Sequence, residues 1–352
     1  MIHIAAQRLH NQQLAQTSLQ TPSEVVAWLG AVQAQEYSYA KWALGLRLPG
    51  VGDAAIEQAF TDGAILRTHV MRPTWHFVTP ADIRWMLELT APSVHGVSAY
   101  MYRKLELDDA LFLQSNTAIA KALEGGVQHT RAELALELKR VGILAEGIRL
   151  GCIMQRAELD AIVCSGGRRG KQFTYALLDE RAPQAKRLPR DEALAELTQR
   201  YFTSHGPATI HDFAWWSGLS IADVKLGLAL ATDVIQTLIG GTSYWQAALP
   251  TIIQPTLPTA LLLPPYDEYT VGYRNHSAIL AAEYAQQAQY PIFSGVTVID
   301  GQIVGAWRRT SNTKTVVIES TPFRPFSAAE QNAFARAAAQ LGLFLGLPVV
   351  LS

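Results

Sequence analysis

Thr130-Arg-Ala-Glu133-Leu134-Ala135, the turn Val141-Gly142-Ile143, a helical run to about Asp160, and then Ile162-Val-Cys164, Gly166-Gly167-Arg168-Arg169-Gly170-Lys171 and Phe173-Thr-Tyr-Ala-Leu177 decide how this chain folds. Thr130 is placed to cap a helix through its hydroxyl, and Glu133 can reach back to the threonine amide. A glycine turn then separates two helical stretches, and two strand-like runs flank a glycine-rich tip. Helix, turn, helix and hairpin is the order of a winged helix-turn-helix.

The pattern recurs downstream. Thr209-Ile-His-Asp212-Phe213-Ala214 opens a capped helix, Ser217-Gly218-Leu219 turns, a helix spans roughly 221–231, and Val234–Leu238 and Ser243–Trp245 flank Gly240-Gly241. Upstream, Thr21-Pro-Ser-Glu24-Val25-Val26 gives a more divergent copy with Pro22 at the first helical position. Helices are expected there at 22–34, 38–46 and 53–62, with Ala64–Arg67 and Thr74–Val78 as the hairpin. After residue 250 the texture changes to Pro250, Pro255, Pro258, Pro264 and Pro265, then to short alternating strands. Asp300-Gly301 between two of these is a tight-hairpin signal, and 328–345 reads as a closing helix. The expectation is an α+β chain of three tandem winged helix-turn-helix modules, 1–110, 111–185 and 186–250, followed by a β-rich, barrel-like domain at 251–352.

Composition narrows the function classes. With 352 residues, 49% of them hydrophobic and 17% charged, the chain is too apolar for a disordered protein and long enough for several cores. Its net charge of −1 excludes holding nucleic acid by bulk charge, but residues 131–200 carry 13 basic against 10 acidic side chains, while 201–300 carry 2 against 7. Cys152 and Cys164 suggest neither a disulfide framework nor a zinc site, and His69 and His76 lack a third ligand, so no metal is expected. There is no GxGxxG, P-loop or nucleophile elbow, and no cofactor is implied. The first ten residues do not read as a signal peptide. The longest apolar stretch, 341–351, is half what a bilayer requires, so no membrane partner is expected, and the two cysteines without a disulfide framework point to a reducing cytoplasm.

Two places suit chemistry. The tip Gly167-Arg168-Arg169-Gly170-Lys171 offers three cations for phosphates, with a solvated turn as the alternative. Gly30-Ala-Val-Gln33-Ala-Gln35-Glu-Tyr37 closes the first capped helix, whose buried stripe is Val25, Trp28, Leu29 and Val32. On a continued helix Gln33 and Gln35 fall on opposite borders of that stripe, so they meet one ligand only if the helix ends near Ala34. The alternative is a pair of glutamines that satisfy loop backbone. Asp267 and Glu268 are adjacent and point apart on an extended chain, which favours structural roles over an acid/base pair. Trp75, Trp215 and Trp216 read as packing residues.

Val32-Gln-Ala-Gln35, Leu66-Arg-Thr-His-Val-Met-Arg-Pro-Thr-Trp-His76-Phe-Val and Leu262-Leu-Pro-Pro-Tyr-Asp267-Glu-Tyr-Thr-Val-Gly-Tyr-Arg274 together resemble the tandem winged-helix superfamily that includes the AlkZ-type DNA glycosylases. The resemblance runs along nearly the whole chain. It implies a C-shaped clamp that removes bulky alkylated or crosslinked purines from double-stranded DNA, with a Gln-x-Gln catalytic signature falling on Gln33 and Gln35. Arg168, Arg169 and Lys171 then hold phosphates, and Arg67, Arg72 and His76 lie near the cleft. Pro73 stands where the family usually has glycine, which alters the first hairpin. The rival is a non-enzymatic DNA-binding protein such as a transcriptional regulator. Regulators usually dimerise to read two half-sites, whereas this chain shows no dimerisation helix or protein partner and is expected to be a monomer.

Overall fold

A computed structural model describes residues 4–248, 259–288 and 294–352. The fold is α+β. The unit boundary expected at 250–251, with Pro250, Pro255 and Pro258, lies outside the described residues.

The three threonine-led helices are Pro22–Leu29, Arg131–Arg140 and Ile210–Ser217, each opened by a complete capping box. In the third, Asp212 also reaches back, its carboxylate accepting from the Thr209 amide at 2.9 Å. The strands show which segments correspond. His129–Thr130 pairs with the second hairpin strand Gln172–Leu177, which pairs in turn with Val163–Arg169. Ala208 bridges Trp245 beside the hairpin Val234–Ile239 and Thr242–Ala247, and Val32–Gln33 pairs with Trp75–Val78, which pairs with Leu66–His69. In the second and third cases the short strand precedes the threonine-capped helix. In the first it follows it, so the counterpart of the Thr130 helix is Tyr37–Leu46 and not the Thr21 helix. The expected register of the first copy is therefore wrong by one helix. A capping box marks any helix start and carries no information about position in a repeat.

The expected 22–34 helix is corrected as well: it ends at Leu29, where Gly30 takes a φ of 83°. The elements at 37–46, 53–62 and 328–345 form as expected, while helices Ile4–Asn11, Ile83–Lys104, Asp109–Leu123, Gly147–Leu159, Arg190–Ser204 and Ile221–Leu230 lie between and before them.

The C-terminal sheet has five strands in the order Val349–Leu351, Val316–Pro322, Gln302–Ser311, Gly295–Ile299, Ala260–Leu263, antiparallel except for its first pair. Asp300 and Gly301 take φ values of 50° and 83°, the left-handed pair that a two-residue hairpin turn requires. One hydrophobic core joins residues 25–77 to this sheet and to the helix Ala328–Leu345, a second joins the first hairpin to helices Ile83–Lys104 and Arg190–Ser204, and residues 102–175 keep a core of their own. No described helix is long and apolar enough to cross a membrane.

Candidate active cleft

The cleft is built on the strand that replaces the end of the expected helix. A side chain at Gly30 would be strained at that φ and would meet the Trp216 ring at 3.4 Å, so glycine lets the chain leave the helix here. Ala31, Val32 and Ala34 are buried, and Gln33 lies directly opposite His76 on the neighbouring strand. The Gln33 amide donates to Glu268 Oε1 at 2.8 Å. Directly opposed residues of an antiparallel pair project to the same face, so Gln33 and His76 share one side of the sheet.

Gln33 lines a cleft of about 500 Å³ with Arg72, Trp215, Tyr266, Tyr273 and Arg274. Gln33 Oε1 and Arg72 Nε and Nη2 on its wall, and Thr74 Oγ1 and His76 Nε2 just before and on the neighbouring strand, are all buried without a hydrogen bond. Such atoms cost about 1–3 kcal/mol each when left unmet, which makes their clustering informative. Burial, with the nearby Arg72 cation, drives the His76 pKa down to about 3, so its ring is neutral. Desolvation also lowers Arg72, against the pull of Glu268. Gly218 allows the close approach of the third unit to the first hairpin, since a Cβ there would sit 2.2 Å from the Met71 carbonyl oxygen. The result places the half-exposed Trp215 ring 5.8 Å from the Arg72 guanidinium.

Gln35 is not on the wall of this cleft; its Oε1 accepts from the Trp75 amide at 3.4 Å. Between the two glutamines, the Ala34 carbonyl accepts from Arg67 Nε at 3.0 Å. Arg67 is buried between Trp75 and Phe173, at 4.3 and 4.6 Å from their ring centres, and desolvation lowers its pKa to about 10. It thus braces the glutamine segment from behind. His69 is paired with the buried carboxylate of Glu158, which also accepts from the Trp75 indole at 3.4 Å.

The cationic hairpin is more committed than its sequence suggests. Strands Val163–Arg169 and Gln172–Leu177 run to a two-residue turn, with a register shift between Ser165 and Arg168. Arg168 folds back toward the rings of Tyr37 and Phe173 and lies 3.8 Å from Glu57. Arg169 pairs with Glu133 at 2.7 Å and donates to the Gln128 carbonyl. Among the described residues Lys171 makes no ion pair.

Asp267 and Glu268 do diverge. Asp267 takes both arms of Arg47, at 2.9 and 3.0 Å, while Glu268 faces Gln33, Trp216 and His205. Trp216 is packing as expected, but Trp215, Tyr266, Tyr273 and Arg274 were not assigned to a site. The quoted stretch 262–274 is the only signal for Tyr266, Tyr273 and Arg274, and Trp215 has none.

The sequence profile described as DNA glycosylase AlkZ-like matches residues 26–344. This chain belongs to the AlkZ-like DNA glycosylase family. A relative from Streptomyces sahachiroi, described as an interstrand DNA cross-link repair glycosylase, is 26% identical over 348 residues, covering 94% of each chain. The solved structure of the Streptomyces sahachiroi DNA glycosylase AlkZ superposes with a TM-score of 0.82 at 23% identity, covering 99% of this chain and 98% of that one. The AlkZ-like fold thus extends over essentially the whole molecule. DNA glycosylases hydrolyse N-glycosyl bonds, and among the described residues the wall of this cleft carries the neutral amide of Gln33 and no carboxylate.

Proposed function

We propose that this chain is a monofunctional DNA repair glycosylase that hydrolyses the N-glycosidic bond of purines alkylated at N7 or N3, bulky and crosslinked ones included, in duplex DNA. The observation that carries the reading is the cluster of buried, unpartnered polar atoms around Gln33 in an AlkZ-like chain. The relative's description as a cross-link repair enzyme supports the bulky class. Two three-stranded sheets of one strand order, and a two-stranded hairpin that the Ala208–Trp245 bridge extends in the same order, support tandem winged helices at 1–110, 111–185 and 186–250 that form a C-shaped clamp with the β-rich unit 251–352.

The chemistry suits amides. An N7- or N3-alkylated purine is already cationic, so its glycosidic bond is weakened and the base leaves without being protonated. The protein needs to hold water beneath the sugar and favour an oxocarbenium-like transition state. Gln33 and Gln35 are the catalytic pair in this reading, Gln33 through its free Oε1 and Gln35 from beside Trp75. Arg72 near a cationic base is useful only if it meets an anion, so it would grip a phosphate of the lesion nucleotide. Lys171, with Arg168 and Arg169, would hold the backbone farther away, and Arg67 would act through the Ala34 carbonyl. No lysine lines the cleft among the described residues, which fits hydrolysis by water without an amine intermediate. A crosslinked base cannot swing freely out of the stack, and an open cleft fits an approach without full flipping. The enzyme would work as a cytoplasmic monomer.

The test is single-turnover release of N7-methylguanine, and of a bulkier N7 adduct, from duplex DNA by wild type and Gln35→Ala at equal salt. Release by wild type with slow release by the variant is expected. No release by wild type, with salt-sensitive binding retained, would make the protein a DNA binder with structural glutamines.

A further inference from the structure

We propose that His76 is a catalytic residue: its Nε2 and Gln33 Oε1 accept hydrogen bonds from the two O–H groups of the attacking water, and Nε2 takes the one proton that leaves. The proposal rests on the glycosylase reading and adds the base that two amides lack.

Gln33 and His76 are directly opposed on adjacent strands and face the same side. Gln33 lines the cleft while His76 lies beside it and not on its wall; each holds a buried atom without a partner, Oε1 and Nε2, and the two residues are only 6% and 0% exposed. The other ring nitrogen of His76, Nδ1, lies 3.0 Å from the Thr74 carbonyl, an acceptor only. In the neutral ring Nδ1 therefore carries the proton and Nε2 is left with a lone pair. Two acceptors on one face suit a molecule with two O–H donors. A water so held has its own lone pairs directed away from both, free for carbon.

The step balances. The water oxygen forms a bond to C1′ of the lesion nucleotide as the C1′–N bond breaks, and that bonding pair stays on the base nitrogen, which neutralises the cationic purine. The proton lost by the water passes to His76 Nε2 and then to solvent. An amide oxygen can orient the water but is too weak a base to keep its proton, whereas an imidazole can. The charged and titratable groups around His76 are Arg72, Glu268 and His69, and with burial they leave the ring unprotonated well into the acid range. A weakened base still suffices, because the water becomes strongly acidic only as its oxygen bonds to the sugar.

The experiment measures single-turnover release of N7-methylguanine from duplex DNA by wild type, Gln33→Ala, His76→Ala and His76→Phe, together with affinity for the same duplex. His76→Ala is expected to slow release by about 10² or more with affinity within about twofold, the range for loss of a general base. Added imidazole should restore its rate at least about tenfold, in proportion to the unprotonated form, and should do nothing for Gln33→Ala. His76→Phe fills the same space without an acceptor and keeps the test open if the alanine variant does not fold; it should be as slow and beyond rescue. A folded variant that releases base within about threefold of wild type would overturn the proposal, as would a loss of rate matched by a loss of affinity. Absence of release by wild type would instead overturn the glycosylase reading.

Discussion

Arg47 and Arg72 both carry buried guanidinium nitrogens, yet every N–H of Arg47 has an acceptor while Nε and Nη2 of Arg72 have none. Arg47 donates to both oxygens of Asp267, to the carbonyls of Gln12 and Ala43 and to the Gln12 side chain. One arginine is part of the fold's own network, and the other is held ready for something the chain does not contain. The difference can be broken first by stability. Arg47→Met strands the fully buried Asp267 carboxylate and should cost about 3–5 kcal/mol in urea unfolding. Arg72→Met, which removes unmatched donors, should cost less than about 1 kcal/mol. Equal losses would show that Arg72 has partners in solution and is structural.

The second contrast lies within the glutamine segment, where the backbone serves the fold and the side chain does not. Gln33 anchors itself through its amide to Glu268, a contact that alanine keeps. Gln33→Ala should therefore unfold at the wild-type urea midpoint while excision falls by about 10² or more, the usual cost of losing one oriented polar group at a transition state. A fall in stability that accounts for the lost activity would return Gln33 to the scaffold.

Acid separates the two regions in another way. Unfolded, His76 takes up a proton near its ordinary 6.5; folded, burial and Arg72 keep it free until about 3. The unfolded state thus binds the proton first as the pH falls. The stability that His76 contributes is fully present above 6.5, and it is lost progressively down to about 3, at up to about 1.4 kcal/mol per pH unit. His76→Phe should flatten the slope of unfolding free energy between pH 6.5 and 4. An unchanged slope would assign it to His205, which is likewise lowered by burial, and to the carboxylates.

Much of the fold could be read from local signals. Asp300-Gly301, the helix at 328–345 and the paired strands around Gly170 follow from turn chemistry and periodicity, which depend on neighbours in the chain. The glutamine helix could not be read so, because its apolar stripe continues through Val32 and only the positive φ of Gly30, packed near the distant Trp216, shows that it stops. Gln33 was legible as a candidate through resemblance, but its opposition to His76 needed strand register. Trp215 reads as packing from sequence because nothing local shows that Gly218 brings its turn against Met71. The cations at 168–171 were visible, while their pairing to Glu57 and Glu133 was not, since both partners come from other elements.

That last point gives the smallest effect and a sharp comparison within one hairpin. Glu133 is held down to about 2, chiefly by the Thr130 amide and hydroxyl and then by Arg169, so it stays anionic across the physiological range and competes with any phosphate for Arg169. Lys171 has no such competitor among the described residues. Each phosphate contact contributes about 0.9 to the slope of log K against log salt on duplex DNA. Lys171→Ala should therefore reduce that slope by about one, and Arg169→Ala by distinctly less. Glu133→Gln should raise the slope above wild type by freeing Arg169, although it weakens the helix cap. If Arg169 proves to carry as much of the slope as Lys171, the Glu133 pair opens on DNA and the hairpin is a three-cation grip after all. If neither substitution changes the slope, the hairpin is not on the phosphates and the clamp closes on DNA through another face.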